Sequence, residues 1–590
     1  MDKLAGNKLQ KAIKLFKQRK FSEALTVFDA IVSISGDNAE TLSYQADCYR
    51  NLGKFNQAVP VYNKLLNISP KNQQAKINLF LCLKQSLPSK YTKALENDVL
   101  CYLSFENANF NDLSNYVSEL ISLKYQLASG TKQIELSEVA QDRLLKLAMH
   151  KLILSNEYVE MFLTGIRAAL LQRMMESTQI DIQEVDLAVA ISMQQFLCEY
   201  TYLDTELEQQ SISQLILFLD KASNIETTAI DSILAPIILI SMYCPLNSLP
   251  ASKTLTTVPL EHWPEIIRGI IIYQILIPQK ELQYENKITQ LGQIENSISN
   301  AVQQQYEQNP YPRWQTASFN LSDNYVKDIT NAIPHFNPPN NLTNNKLQIL
   351  VAGCGTGKQL VELAKSYPSS SILAVDLSRR SLAYATLKTE HYGITNVEFL
   401  QADILDLDKL DRQFDVIESI GVLHHMAEPK LGFEILNRLL KPAGFLKIGL
   451  YSQLARQSIS KARDLLKENA IETTNQNIRL FRKSVMLGEY GEPIRDLACS
   501  SIDFFSLSGC RDLFFHVQEH QFSCQQIEKI LSELKLDFIG FCQVSSQISQ
   551  EYRKLAPDSK SMASLKLWHK AEQKHPNSFG QMYQFWCQKH

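Results

Sequence analysis

In the second half of the chain, short apolar runs alternate with stretches in which apolar residues recur every three or four positions. The clearest run, Ile349–Ala352, has the length and the β-branched character of a buried parallel strand. Three glycines follow it, and Lys358–Ser366 then has the apolar spacing of a helix that buries one face. Four further runs predict strands at Ser371–Val375, Val397–Leu400, Phe414–Ser419 and Phe445–Leu450. A strand, a glycine turn and a helix in this order open an α/β fold of the nucleotide-binding type.

The first half of the chain has helical spacing, and residues 5–72 repeat with a period of 34. The recurring positions are Ala12 and Ala46, Phe21 and Phe55, Ala24 and Ala58, Phe28 and Tyr62, and Ile31 and Leu65. Small residues that meet aromatic residues of the next helix are typical of stacked helical hairpins. From about residue 90 to 295 the spacing stays helical without a repeat. We therefore expect helical repeats at 1–90, a second helical domain for substrate, partner or dimerisation at 91–295, and the α/β domain at 296–590.

Bulk composition narrows the class of protein. The chain has 590 residues, of which 45% are hydrophobic and 21% charged, and this suits a protein with a large buried core. A net charge of −3 argues against a nucleic-acid partner. Its 11 cysteines include no CxxC pair, as expected for reduced thiols in a cytoplasmic protein. The N-terminus lacks the apolar stretch of a signal peptide, and the most apolar window, Ile233–Leu246, is too short to span a membrane.

The glycine turn and the acids after it suggest a nucleoside site. Glycines at 353, 355 and 357 let the backbone turn sharply and leave amide groups open to a ligand, although an ordinary tight turn could use the same residues. Asp376 ends the second strand, where a carboxylate can accept hydrogen bonds from ribose hydroxyls. Asp403 follows the third strand and could accept a hydrogen bond from an adenine amino group.

Taken together, the motifs AGCGTG, AVDLS, QADI, FDVIESIGVLHHM and LLKPAGFLKIGLYS resemble those of the class I methyltransferases that use S-adenosylmethionine (SAM). The turn does not match the GxGxxG of dehydrogenases. The resemblance implies SAM as cofactor and a Rossmann-like, seven-stranded sheet, with its last two strands at Leu536–Cys542 and Met582–Gln588. It implies these cofactor-binding residues: Gly353, Cys354, Gly355, Gly357, Asp376, Leu377, Ala402, Asp403, Ile404, Glu418, Ser419 and His424. The family commonly has an acid two residues before the first glycine, where this chain has Val351.

The repeats at the N-terminus resemble tetratricopeptide repeats, which makes the first half of the chain all-α. Their use is open between a groove for a peptide or protein partner and a folding or homodimerisation module. The sequence YEQNPYPRW, ahead of this kind of domain, resembles a group of bacterial proteins that fuse such repeats to a methyltransferase. The resemblance implies a group that includes or neighbours the rickettsial lysine methyltransferases of an outer-membrane protein.

Two segments flank the predicted cofactor site. Residues 302–316 contain Tyr306, Tyr311 and Trp314, and the resemblance implies an aromatic lid there, whereas the alternative is a linker packed on the domain edge. Residues from about 452 to 534 form an insertion between the fifth and sixth strands, which we expect to cap the substrate entrance. In this cap, Asp512, His516 and Glu519 have the spacing of one helical face, which suits either a substrate-binding cluster or a solvated salt bridge.

The predicted reaction needs little more than alignment of a nucleophile, exclusion of water and, for an amine, removal of a proton. The candidate catalytic residues are Tyr306, Trp314, Tyr451, His516 and Glu519. His424 and His425 are adjacent, but no further ligands stand near them in the sequence, so we predict no metal. We favour methylation of a protein side chain, with a lysine amine first, recruited by the helical half. The alternatives are a methyltransferase for a small metabolite or a tRNA, and a scaffold with a degenerate methyltransferase fold.

Overall fold

The computed structural model describes residues 2–590 except 105–109, 177–180, 222–229, 318, 320, 321, 323, 334, 335, 337–345, 543, 558–560 and 581. The predicted linker Asn337–Asn345 lies outside the described residues. The chain divides into two compact units, one of residues 1–197 with 204–211 and one of residues 198–203 with 212–590. This division does not follow the predicted boundaries at 90 and 295, because the second unit begins well before the sheet.

The first unit is helical and confirms the repeat. Its helices are α1 Asp2–Lys17, α2 Phe21–Ser35, α3 Ala39–Asn51, α4 Phe55–Ile68, α5 Gln73–Lys84, α6 Lys93–Leu103, α7 Ser114–Tyr125, α8 Leu136–Ala140, α9 Arg143–Lys151, α10 Glu157–Glu176 and α11 Ile182–Leu197, with α12, Glu206–Lys221, containing the boundary between the units. The recurring small and aromatic residues are buried, among them Ala24 and Ala58 at 0% exposure and Phe28 and Tyr62 at 0% and 1%. Equivalent residues of the two hairpins therefore pack in equivalent places.

The second unit combines helices with one sheet. Its helices are α13 Ile230–Ser241, α14 Ser252–Leu255, α15 Glu265–Ile271, α16 Ile277–Glu285, α17 Ser297–Gln308, α18 Tyr325–Ala332, α19 Lys358–Ser366, α20 Arg379–His391, α21 Pro429–Leu439, α22 Gln457–Glu468, α23 Asn475–Met486, α24 Glu492–Ser500, α25 Leu507–Phe514, α26 Cys524–Glu533, α27 Ser546–Leu555 and α28 Leu565–Lys574. Its strands are β1 Thr289–Gln290, β2 Gln348–Ala352, β3 Ser371–Asp376, β4 Val397–Gln401, β5 Phe414–Ile420, β6 Leu440–Tyr451, β7 Leu536–Phe541 and β8 Met582–Lys589. No helix among the described residues is long and apolar enough to cross a membrane.

The sheet confirms the predicted α/β fold. Its strand order is β1-β4-β3-β2-β5-β6-β8-β7, with β8 antiparallel to both neighbours and the other pairs parallel. All seven predicted strands are present, and the short β1 adds an eighth beside β4. Alternate residues of β2 enter two separate cores, Leu350 on one face and Ile349 on the other. Burial on both faces explains why the parallel strands read as continuous apolar runs.

The cap between β6 and β7 corrects one prediction. Helix α25 ends at Phe514, so Asp512 lies on a helix whereas His516 and Glu519 follow in a loop. The backbone of this loop bonds to side chains instead of continuing the helix: the Val517 N–H donates to the side-chain oxygen of Gln305, at 3.2 Å. Partners that are distant in sequence thus satisfy the backbone groups that a helical turn would have paired.

Candidate functional site

The glycine turn after β2 is closely packed. Gly353 has a φ of +80°, and a Cβ atom there would lie 2.3 Å from the side chain of Val422. Gly357 has a φ of +83°, and its Cβ would lie 2.6 Å from Ala385. The amides of Gly353 and Cys354 both donate to the carbonyl of Val375, at 2.8 and 2.9 Å. Neighbouring groups therefore require glycine at both positions, and β3 anchors the turn.

Asp376, at the end of β3, faces this turn. Its carboxylate accepts hydrogen bonds from the amides of Gly355 and Ser378, at 2.8 and 2.9 Å. Burial raises the pKa of Asp376 to about 6, while these amide donors act in the opposite direction. The residue and Leu377 beside it keep partial exposure. An acid in this position can accept hydrogen bonds from a diol at the carboxyl edge of the sheet.

Asp403, at the end of β4, opens on a cavity of about 530 Å³. The cavity is also lined by residues from the segment after β1 and from the short helix after Asp403: Gly292, Gln293, Glu295, Asn296, Leu405, Asp406 and Lys409. One carboxylate oxygen of Asp403 accepts from the Leu405 amide at 3.0 Å. Ala402 and Ile404 on either side are buried in the core. Asp403 thus presents an acceptor to a cavity at the same edge as Asp376.

The end of β5 contains the next predicted residues. Ser419 is 1% exposed, and its hydroxyl has no partner among the described residues. The carboxylate of Glu418 accepts hydrogen bonds from Tyr325 of α18, at 2.5 Å, and from Gln359 of α19. A role of Glu418 in cofactor binding stays a prediction, and these contacts favour a structural role. The amides of Gly353, Gly355 and Gly357 are already paired with Val375, Asp376 and Cys354, so the expectation of glycine amides open to a ligand is wrong. The compact turn, the Asp376 carboxylate and an unpartnered buried hydroxyl still make this edge a fit for an adenosyl cofactor.

The segment after α17 crosses the glycine turn. The carbonyl of Tyr311 would lie 3.3 Å from a Cβ atom on Gly355. The Thr356 hydroxyl donates to the carbonyl of Pro312, and the Trp314 indole N–H donates to the carbonyl of Thr356 at 3.0 Å. Trp314 is 2% exposed and stacks on Tyr392, with ring centroids 6.2 Å apart. The contacts of Trp314 are those of an anchor, and its catalytic role stays a prediction.

The end of α17 binds both the cap and α20. Tyr306 donates its hydroxyl hydrogen to Asp512 at 2.7 Å, and its oxygen lies 3.2 Å from Nε2 of His516. The next residue, Glu307, accepts from the amide of Arg379 at the start of α20, at 2.7 Å. Successive side chains of α17 thus connect the cap with the helix that follows Asp376.

The backbone N–H and C=O of one residue, Gln518, set the protonation pattern of two stacked histidines. The rings of His425 and His516 are 3.6 Å apart and nearly parallel, at 15°. Nδ1 of His425 donates to the carbonyl of Gln518 at 2.7 Å, whereas Nδ1 of His516 accepts from the amide of Gln518 at 3.2 Å. In the neutral rings, the proton of His516 is therefore on Nε2, which donates to Tyr306, and Nε2 of His425 carries a lone pair. Burial lowers the pKa of His425 to about 4 and that of His516 well below its usual range.

We call Tyr306, His425, Asp512 and His516 the cap cluster. Burial raises the pKa of Asp512 to about 7, although the Tyr306 hydroxyl acts in the opposite direction. Beside the cluster, His424 stacks on Tyr451, with centroids 3.8 Å apart. Neutral rings therefore surround one carboxyl that changes its protonation near neutral pH.

His425, Asp512 and His516 could also hold a metal ion, since their ligand atoms lie within 4.8 Å of one another. The hydrogen bonds argue for a different use. Nδ1 of His516 accepts from the amide of Gln518, so the ring proton is on Nε2. A metal ion bound at Nε2 would need a lone pair on that nitrogen, where the ring carries its proton. The described residues are thus arranged as a hydrogen-bonded chain from His516 through Tyr306 to Asp512.

Glu519 forms an ion-pair group beside the cluster. Its carboxylate binds Arg456 at 3.0 and 2.8 Å and Arg463 at 3.3 Å, and its side chain is 3% exposed. Arg456 lies 3.5 Å from the ring centre of Tyr451, and Arg463 donates to the carbonyl of His516 at 2.6 Å. Although burial opposes it, the two guanidinium groups lower the pKa of Glu519. Its contacts are those of a residue that positions Tyr451 and His516, and a role as base stays a prediction.

Sequence reasoning missed three groups in this region. Gln518 acts through its backbone, which no side-chain motif records. Arg456 lies at the start of the cap with no neighbouring signal in sequence. Asp503, in the short helix Ile502–Phe505, accepts from the Tyr311 hydroxyl at 2.8 Å, and only the aromatic cluster around Tyr311 could have pointed to it.

Comparison with known proteins identifies the class. Residues 343–495 match the family model described as a methyltransferase domain, and residues 2–100 match the model of the N-terminal TPR repeats region of Psidin. With the sheet order and the glycine turn, the second unit therefore contains a methyltransferase domain of the SAM-dependent class.

Among individual proteins, an uncharacterized protein of Synechococcus sp. is 29% identical over 33% of this chain and 48% of its own length. An uncharacterized protein of Rickettsia prowazekii is 34% identical over 24% of this chain and 54% of its own. PKMT2 from Rickettsia typhi is a similar solved structure, at 21% identity over 45% of this chain and 51% of that one, with a TM-score of 0.35. The chain spans about half the length of these relatives.

Proposed function

We propose that this chain is a SAM-dependent methyltransferase that methylates an amine, with a protein lysine as the favoured acceptor. The observation that carries the proposal is the cap cluster, in which a buried carboxyl is linked to a tyrosine and two neutral histidines. Support for SAM comes from the match of residues 343–495 and from the glycine turn with Asp376.

The charges of the cap cluster favour a cationic substrate. Asp512 is enclosed in protein, and burial raises its pKa to about 7. A substrate carboxylate in the same place would be repelled by the charged form of Asp512, whereas an ammonium group would be paired. The ring of Tyr306 can add cation–π attraction. Malonyl-[acyl-carrier protein] O-methyltransferase of Priestia megaterium is 27% identical over 32% of this chain, but a carboxyl acceptor fits this acid poorly.

The same residues can remove the proton that a methylated amine must lose. When bound, SAM supplies a methyl group already activated on a sulfonium. An ammonium substrate gives one proton to the Asp512 carboxylate, whose pKa of about 7 suits a base at neutral pH. Its nitrogen lone pair would then form the new bond to the methyl carbon as the sulfur–carbon bond breaks, and the thioether SAH would leave with that electron pair. Tyr306 and His516 hold Asp512 in place, and the buried rings exclude water from the amine.

Recruitment of a protein substrate by the repeats completes the proposal. The match of residues 2–100 to a TPR repeats region supports a role of the first unit in protein interaction.

The test is to label a bacterial lysate with purified full-length protein and methyl-tritiated SAM, and then to treat the labelled proteins with alkali. Methylated amines keep their label, whereas methyl esters release it as methanol. We expect alkali-stable label on protein, which prior acetylation of the lysate's lysines abolishes. Label that alkali releases would overturn the proposal that an amine is methylated. Label found only in small molecules or RNA would overturn the proposal that the substrate is a protein.

A further inference from the structure

The cofactor of the proposed function carries an ammonium group at its methionine end. A cation removed from water needs a carboxylate or several carbonyl groups as partners. The turn that would cradle this end offers no carboxylate: β2 closes with the apolar Val351 and Ala352, and Gly353–Gly357 is followed by the cation Lys358. A carboxylate partner for this ammonium would therefore come from another part of the fold.

Asp503 of the cap lies where such an acid is needed. Its carboxylate accepts from the Tyr311 hydroxyl at 2.8 Å, and the Tyr311 carbonyl would be 3.3 Å from a Cβ on Gly355. Tyr311 therefore contacts Asp503 through its hydroxyl and the glycine turn through its carbonyl. Lys358, the first residue of α19, is near enough to lower the pKa of Asp503, although burial has the larger effect and raises it.

The exposure of Asp503 supports a ligand contact. The residue keeps partial exposure, like Gly353, Gly355 and Asp376 around the turn. Part of Asp503 is therefore within reach of a ligand bound at the turn.

We infer that Asp503 binds the methionyl ammonium of SAM and that Tyr311 positions its carboxylate. The cap then completes the cofactor site as well as the substrate site. Two tyrosine–aspartate pairs divide the work: Tyr311 with Asp503 on the cofactor, and Tyr306 with Asp512 on the substrate. The inference rests on the proposed use of SAM and is independent of which amine is methylated.

Calorimetry with two ligands tests it on the full-length protein. S-adenosylhomocysteine (SAH) has the ammonium, and 5′-methylthioadenosine lacks the whole amino-acid end. Asp503→Asn should weaken SAH binding by about 10- to 100-fold, because it removes the charge that pairs with a buried cation. Binding of 5′-methylthioadenosine should not change. Tyr311→Phe should reduce SAH affinity by a smaller factor, about 5-fold, in the same ligand-selective way.

Two matched variants control the result. Asp464→Asn removes an exposed acid of α22 in the same cap, and Asp512→Asn removes the acid of the other pair. Both should bind SAH like the wild type. Unchanged SAH binding by Asp503→Asn, or an equal loss of both ligands, would overturn the inference alone. Failure of the wild-type protein to bind SAH at all would overturn the proposed function with it.

Discussion

The carboxyl edge of the sheet and the cap bring polar groups together in different ways. At the edge, Gly353, Asp376 and Asp403 each end or follow a strand, so the parallel register of β2, β3 and β4 aligns them. In the cap cluster, Tyr306 comes from α17, His425 from the short helix Leu423–His425 after β5, and Asp512 and His516 from the insertion. The edge depends on local backbone geometry, whereas the cluster depends on contacts between distant segments. Changes at the edge should therefore act on cofactor affinity, and changes in the cluster on the rate and its pH dependence.

The largest effect is expected from Gly353→Ala, which tests the edge. The new Cβ would lie 2.3 Å from Val422, and alanine disfavours a φ of +80°. Overpacking and a left-handed backbone together cost about 3 kcal/mol. We expect about 100-fold weaker binding of SAH, measured by calorimetry.

Gly393→Ala is the matched control for this change. Gly393 also has a positive φ, of +62°, but a Cβ there would meet nothing within 4 Å. Its variant should lose about 1 kcal/mol of unfolding free energy and keep its affinity for SAH. If Gly353→Ala bound SAH as well as Gly393→Ala does, the glycine turn would not be a cofactor cradle.

The same contrast explains how much of the fold could be predicted from sequence. The strands and α19 were predictable because burial on both faces of a parallel strand, and on one face of a helix, leaves a local pattern. Lys358–Ser366 was predicted with the bounds that the structure has. The short β1 was not predicted, since Thr289–Gln290 has neither length nor an apolar pattern.

The cap cluster could be predicted only in part. Tyr306, His516 and Asp512 were singled out by residue type, but the predicted single helix through Glu519 was wrong. That helix ends because Gln305 and the rings of His425 and His516 take the backbone groups of residues 517 and 518. No spacing along the chain records the bonds to Gln305 and His425, since these partners lie 212 and 93 residues away.

Asp512→Asn should have a comparable effect, this time on the rate. Loss of the proton acceptor should slow methyl transfer by about 100-fold and leave SAH affinity unchanged. Only the deprotonated carboxyl accepts a proton, so the wild-type rate should rise with pH up to about 7, the pKa to which burial raises Asp512, and show a step there. The free lysine titrates near 10.4, far enough away to be separated. Rates from pH 5.5 to 9 at saturating SAM provide the measurement. If the Asp512→Asn variant kept the step at pH 7, Asp512 would not be the group that accepts the proton.

The smallest effect on the rate is expected from Tyr306→Phe, and its pH profile is the sharper measurement. The change removes a hydroxyl that donates to Asp512 at 2.7 Å, which should slow transfer by about 5-fold. Because this hydrogen bond lowers the pKa of Asp512, its loss should move the step in the rate to higher pH.

Tyr311→Phe is the control, since its hydroxyl bonds to Asp503 instead. It should weaken SAH binding and leave the step where it is. If both variants moved the step equally, the two acids would titrate as one unit, and cofactor and substrate functions could not be assigned to separate tyrosine–aspartate pairs.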